Sequence, residues 1–260
     1  MRFLGGVAGR AYLALMLAFL YLPIVVMVLM AFNRSSLYTL PIEWDLIWFR
    51  SLLHNQRLLQ AGLNSVLLAT ATMVVSTFLG TLAALAFHRY EFRGKALLQA
   101  LLLPPIAIPW LILGTAMLIF FFWVGIGRGL HAMLLGHVAL SLPYVVMVVG
   151  ARLKGFDRTL EEAAYSLGAN PWQTFLRVTV PVILPGVVAA GLFAFTVSFD
   201  MFVVSYFLAA PGVATLPVEI YTAIRTGLTP EINALSTIII VVSMGLMLAV
   251  ARLYNFAGDK

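Results

Sequence analysis

Few side chains in this 260-residue sequence could do chemistry, and their spacing decides what kind. Asp200, in Phe199-Asp200-Met201, is the only acid well inside a long apolar run. If that run crosses a membrane, an unpaired charge at its middle costs about 2.5–3.5 kcal/mol on insertion scales, so the acid must face protein or water. Two roles fit: a hydrogen-bonded contact between helices, with the carboxyl protonated, or a position that attracts a cation along a pathway. The histidines His54, His88, His131 and His137 lack the close spacing of a metal site such as H-E-x-x-H. Only His137 falls inside an apolar run, where it either bonds a neighbouring helix or lines a pathway. Gly94-Lys95 has neither the upstream glycine nor the following hydroxyl of a phosphate-binding loop, so nothing here would cradle ATP. Gly125-Ile126-Gly127-Arg128-Gly129 follows no strand and reads as a tight turn. Without cysteine there is no disulfide framework, thiolate metal site or cysteine nucleophile. Pro104, Pro105 and Pro109 are a different signal. Each lacks a backbone donor, so a helix carrying them has an interrupted ladder, tolerated in a membrane where neighbours or a water-filled cavity satisfy the freed carbonyls. They mark a packing kink or the wall of a pathway.

The elements that position these residues are membrane spans. The chain is 62% hydrophobic and 10% charged, with a mean hydropathy of +1.02, too apolar for an ordinary soluble domain. A spanning helix needs roughly 20 apolar residues, and six stretches qualify: 12–32, 63–87, 96–123, 130–150, 180–208 and 235–254. The first is longer than the apolar core of a signal peptide and no small-residue cleavage site follows it, so it is expected to be retained. With the N-terminus inside, most of the 16 basic residues fall on the cytoplasmic side, leaving Arg34, Arg50, Arg57, Arg128 and Arg225 outside. The turn from His88 to Lys95 contributes most, and both termini are expected in the cytoplasm. Because the basic residues sit in short loops rather than on one face, they are a topology signal and exclude nucleic acid as the partner. No repeat or low-complexity linker interrupts the chain, so one membrane domain, 1–260, is expected.

Three connections are long enough to carry function. The outer loop 33–62 has Trp44, Trp48 and Phe49, suited to the membrane interface. The second outer loop, 209–234, ends in Thr229-Pro230-Glu231, which reads as N-cap, first-turn proline and first-turn acid of the sixth span. The cytoplasmic loop 151–179 is the most informative. Thr159 with Glu162 three residues on forms a capping box, so a helix should start near Leu160, and Gly168 suits the left-handed position that ends it. Asn170 then offers a second N-cap with Pro171 behind it, starting a short helix that feeds Pro181 and the fifth span. The loop is thus a rigid knob or a plain interfacial connector.

At this loop the sequence resembles the EAA signature of ATP-binding-cassette (ABC) importer permeases, with Glu162, Ala163, Ala164, Gly168 and Pro181 at the family's spacing. Val178 and Val180 stand where that family more often has Ile and Leu. The resemblance implies an all-α membrane protein: six transmembrane helices in the type I ABC importer permease fold, with a cytoplasmic coupling helix. Thr159, Leu160, Glu161, Glu162, Ala163, Ala164, Gly168 and Pro181 would then be the ATPase-coupling residues, the helix 160–167 seating in a groove of the ATPase. It also tips Pro104, Pro105 and Pro109 toward lining the substrate pathway with Asp200. The chain would carry no cofactor, since ATP and Mg belong to the partner ATPase. Its partners would be an ATPase dimer, a second related permease, a solute-binding protein and membrane lipid, in a bacterial inner membrane. Arg89-Tyr90-Glu91-Phe92-Arg93-Gly94-Lys95, the segment from Arg152 to Asp157 and the segment from Thr229 to Leu235 are similar to spermidine/putrescine-type permeases. Those often carry two consecutive acids in the fifth span, where this chain has Asp200 followed by Met201. Permeases for aminoalkylphosphonate, thiamine and ferric ion share the general pattern. Two other classes stay open, an ion-coupled secondary transporter and a membrane scaffold. The first usually shows internal repeats and several intramembrane ionisable groups, which this chain lacks.

Overall fold

Long apolar runs give a backbone in lipid no partner but itself, and the chain accordingly folds into helices. The computed structural model describes residues 2–227 and 230–258, with side chains described for 9–227 and 230–245. In chain order the helices are α1 (Arg2–Ala31), α2 (Ile47–Leu52), α3 (Gln56–Arg89), α4 (Lys95–Ala100), α5 (Pro104–Ala107), α6 (Trp110–Trp123) and α7 (Leu130–Lys154). After these come α8 (Thr159–Ser166), α9 (Pro171–Thr174), a π-helical turn (Phe175–Thr179), α10 (Val180–Phe199), α11 (Phe202–Leu208), α12 (Leu216–Thr226) and α13 (Glu231–Gly258). The described residues contain no strand, only an isolated bridge between Asn33 and Trp44.

Among the described residues, four helical runs are long and apolar enough to cross a membrane: Gly9–Ala31, Gln56–Arg89, Leu130–Lys154 and Pro171–Phe199. The expected third span, 96–123, is not one rod. Lys95–Ala107 and Trp110–Trp123 meet at a bend of 111° and make a fifth crossing only when taken together. The cause is local: Pro109 has no N–H, and the residue before a proline is driven out of the helical region, which leaves Ile108 extended at φ −84°, ψ 135°. Pro104 and Pro105, by contrast, begin α5 and break nothing within it. The sixth expected span lies in α13, whose described apolar part is the shorter stretch Glu231–Gly245.

The chain divides into two compact units, Met1–Leu59 with Ile220–Lys260, and Gln60–Glu219. In the first, α1 packs on α13 around Ala31, Leu52, Leu58, Ile232 and Ala234. Asn33, fully buried, pins the loop after α1: its amide donates to the Thr39 carbonyl at 2.9 Å and its Oδ1 accepts from the Ser35 and Glu43 amides. The Trp48 indole donates to the Asn33 carbonyl at 2.7 Å, and the Phe49 ring lies tilted against Phe32 with centroids 5.0 Å apart. Of the three aromatics expected at the interface, then, Trp48 and Phe49 turn onto the protein while Trp44 stays exposed. Glu231 opens α13 and accepts from Ser51 Oγ and, at 2.8 Å, from Asn55 Nδ2. Thr229, expected as the N-cap of this helix, lies outside the described residues.

The second unit is built on α7. Its C-terminal half packs with α3 and α10 through Leu85, Val145, Val149, Leu153 and Ile183. Its other half packs with α11 through Met133, Leu140, Met201, Val204 and Leu208. Small residues set the spacing: a Cβ on Gly80 of α3 would lie 2.5 Å from Val145 Cγ1, so the helices meet at backbone distance, as helix pairs in lipid commonly do.

In the first unit, Glu231→Ala should cost about 2 kcal/mol, the scale of hydrogen bonds to a charged group. Thermal unfolding in detergent should show a lower melting temperature, and unchanged melting would mean that the bonds to Ser51 and Asn55 contribute nothing.

Candidate functional site

The knob between α7 and α10 is assembled from local rules. Helix α8 starts at Thr159, one residue earlier than expected, and the expected Thr159–Glu162 box does not form. Instead Asp157 Oδ1 accepts the Thr159 amide at 2.9 Å. Donation from the Thr159 amide and hydroxyl holds the Asp157 carboxyl below its ordinary pKa of 3.8. The other end closes as expected. Gly168 adopts φ +86°, with its N–H on the Tyr165 carbonyl at 2.9 Å and the Ala169 N–H on the Ala164 carbonyl at 3.0 Å. These bonds form a Schellman motif. Asn170 then caps the next helix in a complete box, accepting from the Gln173 amide at 2.9 Å while Gln173 Oε1 accepts from the Asn170 amide at 3.1 Å. From Pro171 the helix runs without a gap to Phe199. Its π-helical turn, Phe175–Thr179, lies just ahead of Pro181, whose ring would press on the carbonyl four residues back; widening the turn accommodates it.

What holds the knob is a contact the sequence did not announce. Glu161, not Glu162, is the anchored acid: its carboxylate takes both the Arg89 guanidinium, at the end of α3, and the Thr179 hydroxyl, at the end of the π turn. Arg89 also donates to Thr179 Oγ1 at 3.1 Å and lies over the Phe175 ring at 5.8 Å. One mostly buried ion pair therefore joins α8, α3 and the root of α10. Glu162 and Ala163 face solvent and Ala164 is half-buried. Leu160, Tyr165 and Trp172 are exposed, and Leu167 is 89% exposed, an apolar surface on an otherwise polar knob. The basic turn 88–95 carried the one available signal, a charge at a membrane end, but nothing in the sequence paired Arg89 with Glu161 seventy-two residues away.

The expected fifth span, 180–208, is also broken. α10 ends at Phe199, Asp200 is its C-cap, Met201 is extended at ψ 93°, and α11 begins at Phe202. Asp200 is thus not mid-helix. It is exposed, and among the described residues nothing bonds its carboxylate. Asp200 stands between the C-terminus of α10, where an acid is disfavoured by roughly 0.3–1 kcal/mol, and the N-terminus of α11, where one is favoured, so the two helix dipoles oppose each other there. Met201 points the other way, 1% exposed in the α7–α11 core. A cavity of about 470 Å³ opens between α3, α4, α5 and α7, lined by Leu103, Ile106 and Pro143 with His88 and Lys154 among its polar groups. Pro104, Pro105 and Pro109 are not in its wall and do not meet Asp200 there. Among the described residues no three of His, Asp and Glu gather as metal ligands.

The capped knob and the break at Asp200 stand at the two ends of one helical run, in an all-helical chain with several helices of membrane-crossing length. Residues 76–258 match the binding-protein-dependent transport system inner membrane component family, and the chain belongs to it. Two permease proteins for spermidine/putrescine transport are similar over nearly their whole length. PotC of Haemophilus influenzae is 38% identical over 92% of this chain and 93% of its own. PotC of Escherichia coli K12 is 34% identical over 95% and 93%. The putrescine transport permease PotI of Escherichia coli K12 is 36% identical over 85% and 82%. Among solved structures, a chain of a bacterial ABC transporter that imports alginate superposes with a TM-score of 0.74 at 16% identity, covering 96% of each chain. The methionine transporter MetNI gives 0.55 at 22% identity, covering 76% of this chain and 95% of that one. The fold is that of ABC importer permeases, and the ion-coupled carrier and the scaffold give way to it.

Arg89→Ala removes the clamp without touching α8 itself. Loss of about 1.5–3 kcal/mol, the worth of hydrogen bonds to charged groups, should speed amide exchange in α8 about tenfold or more while α7 is unaffected. Unchanged exchange in α8 would show that its own caps suffice.

Proposed function

We propose that this chain is one of two related permease subunits in an ATP-driven importer of a small polycation of the spermidine or putrescine class, with both termini in the cytoplasm. A binding protein delivers the solute from outside. A partner ATPase pair, which holds ATP and Mg, closes beneath the membrane, displaces α8 and turns the pathway between its two openings.

The observation that carries the solute class is Asp200. Its carboxylate is exposed and unpaired among the described residues, at a break between two helices, and a cationic ligand would supply the partner it lacks. The names of the PotC and PotI relatives support the same class. Met201, where spermidine/putrescine-type permeases often carry a second acid, is buried in the core and leaves this chain one acid to present. Docking of the ATPase on the knob is supported by the uncovered Leu160, Tyr165, Leu167 and Trp172, and by the anchoring of α8 to α3 and α10 through Glu161. Since one chain supplies one knob and an ATPase pair offers two grooves, a second permease completes the assembly. The exposed apolar side chains of α1, such as Leu15 and Phe19, suit lipid.

Asp200→Asn keeps the shape and most of the hydrogen bonding while removing the charge. In proteoliposomes with the partner subunits, KM for spermidine should rise about tenfold to a hundredfold, the equivalent of 1.5–3 kcal/mol, with assembly intact; unchanged KM would sink the pathway role. Gly168→Val forces a β-branched residue into positive φ at a cost of about 1–3 kcal/mol. Uptake should fall while the chain still inserts, and normal uptake with normal ATPase copurification would reject the docking assignment.

A further inference from the structure

His137, on α7, is fully buried and has no part in the reading above. Its ring is bonded at both ends: Nδ1 to Ser198 Oγ at 2.7 Å and Nε2 to Ser205 Oγ at 2.9 Å. Ser198 lies in the last turn of α10 and Ser205 in α11, so the two serines stand on opposite sides of the break at Asp200–Met201. In an unbroken helix residues seven apart are separated by about 10 Å along the axis. That is farther than one imidazole with bonds of 2.7 and 2.9 Å spans, so the double contact belongs to the broken geometry. The surroundings are equally close. A Cβ on Gly136, the residue before His137, would meet Val204 Cγ1 at 2.8 Å and Leu208 Cδ1 at 3.0 Å.

We propose that His137 is a positioning residue: by holding Ser198 before the break and Ser205 after it, the ring fixes the angle of the joint and hence the direction in which Asp200 presents its carboxylate. The inference rests on the reading of Asp200 as a pathway group. α7 is the rail to which both sides of the joint are fastened, and the imidazole is the fastening that spans them. An imidazole can donate from one nitrogen and accept at the other, which two hydroxyls satisfy completely. An apolar side chain of similar size fills the space but leaves both serines free to turn.

The test uses the complete transporter in lipid vesicles, with spermidine as the probe and solute-stimulated ATP hydrolysis as the readout. His137→Leu should raise KM about tenfold, equivalent to about 1.4 kcal/mol, with less effect on the rate at saturating spermidine. Ser198→Ala and Ser205→Ala, which remove one bond each at little change in volume, should each raise KM severalfold, and they carry the test if His137→Leu fails to assemble. His137→Gln, which can still donate and accept, should restore part of the loss. In an Asp200→Asn background His137→Leu should raise KM no further, because the histidine acts through that carboxylate. If His137→Leu and the serine variants lower only the yield of assembled complex and leave KM unchanged, the histidine is a packing bond and the inference is wrong. It is equally wrong if the Asp200→Asn and His137→Leu effects multiply. Unchanged KM in Asp200→Asn alone overturns the pathway reading and this inference with it, whereas an effect there with none at His137, Ser198 or Ser205 overturns the inference alone.

Discussion

A backbone that crosses hydrocarbon has no water to turn to, so every N–H and C=O outside the helical ladder must be met by protein or by a wet cavity. Breaks in such helices are therefore restricted in place, and here the larger ones fall in the unit Gln60–Glu219. The bend at Ile108–Pro109, the π-helical turn before Pro181 and the joint at Asp200–Met201 each depart from the ladder at a different point. The rest of that unit compensates: α7 packs its C-terminal half against α3 and α10 and its N-terminal half against α11, so the joint in the fifth segment is supported from one side along its length.

Much of this was legible in residue types. Proline and glycine act through the backbone alone, so Asn170-Pro171 and Gly168 sit where local rules put them, and the runs 63–87, 130–150 and 235–254 each fall within one helix. What was not legible depended on distance. The Thr159–Glu162 pair fits a capping box equally well on paper, but Asp157 reaches the same amide first and Glu161 is claimed by Arg89. The joint after Phe199 contains neither proline nor glycine; the α7–α11 core takes Met201 inward and turns Asp200 out, and no window of local sequence contains α7. The bend of 111° was half legible, since three prolines announced an interruption but only Pro109 makes the sharp turn.

The knob and the joint lie at the two ends of one continuous helical run, Pro171–Phe199. At its root the Asn170–Gln173 box leaves no slack between α8 and the helix, and Glu161 binds Thr179 directly. At its far end Ser198 is held by His137. The two are thus joined by one helix, whose regular ladder is interrupted by the π-helical turn and by Pro185.

The π-helical turn between them has a consequence for reading the helix itself. A turn that holds one residue more than its neighbours shifts the angular phase of everything beyond it by about 100°, the rotation of a single α-helical residue. A helical wheel drawn with one period from Trp172 to Phe199 would therefore place Ile183, Ala190 and Ala194 on the wrong side, although these are the residues that face the core. Substitutions along α10 are best chosen by counting from Val180, the first residue after the turn, where the regular period resumes.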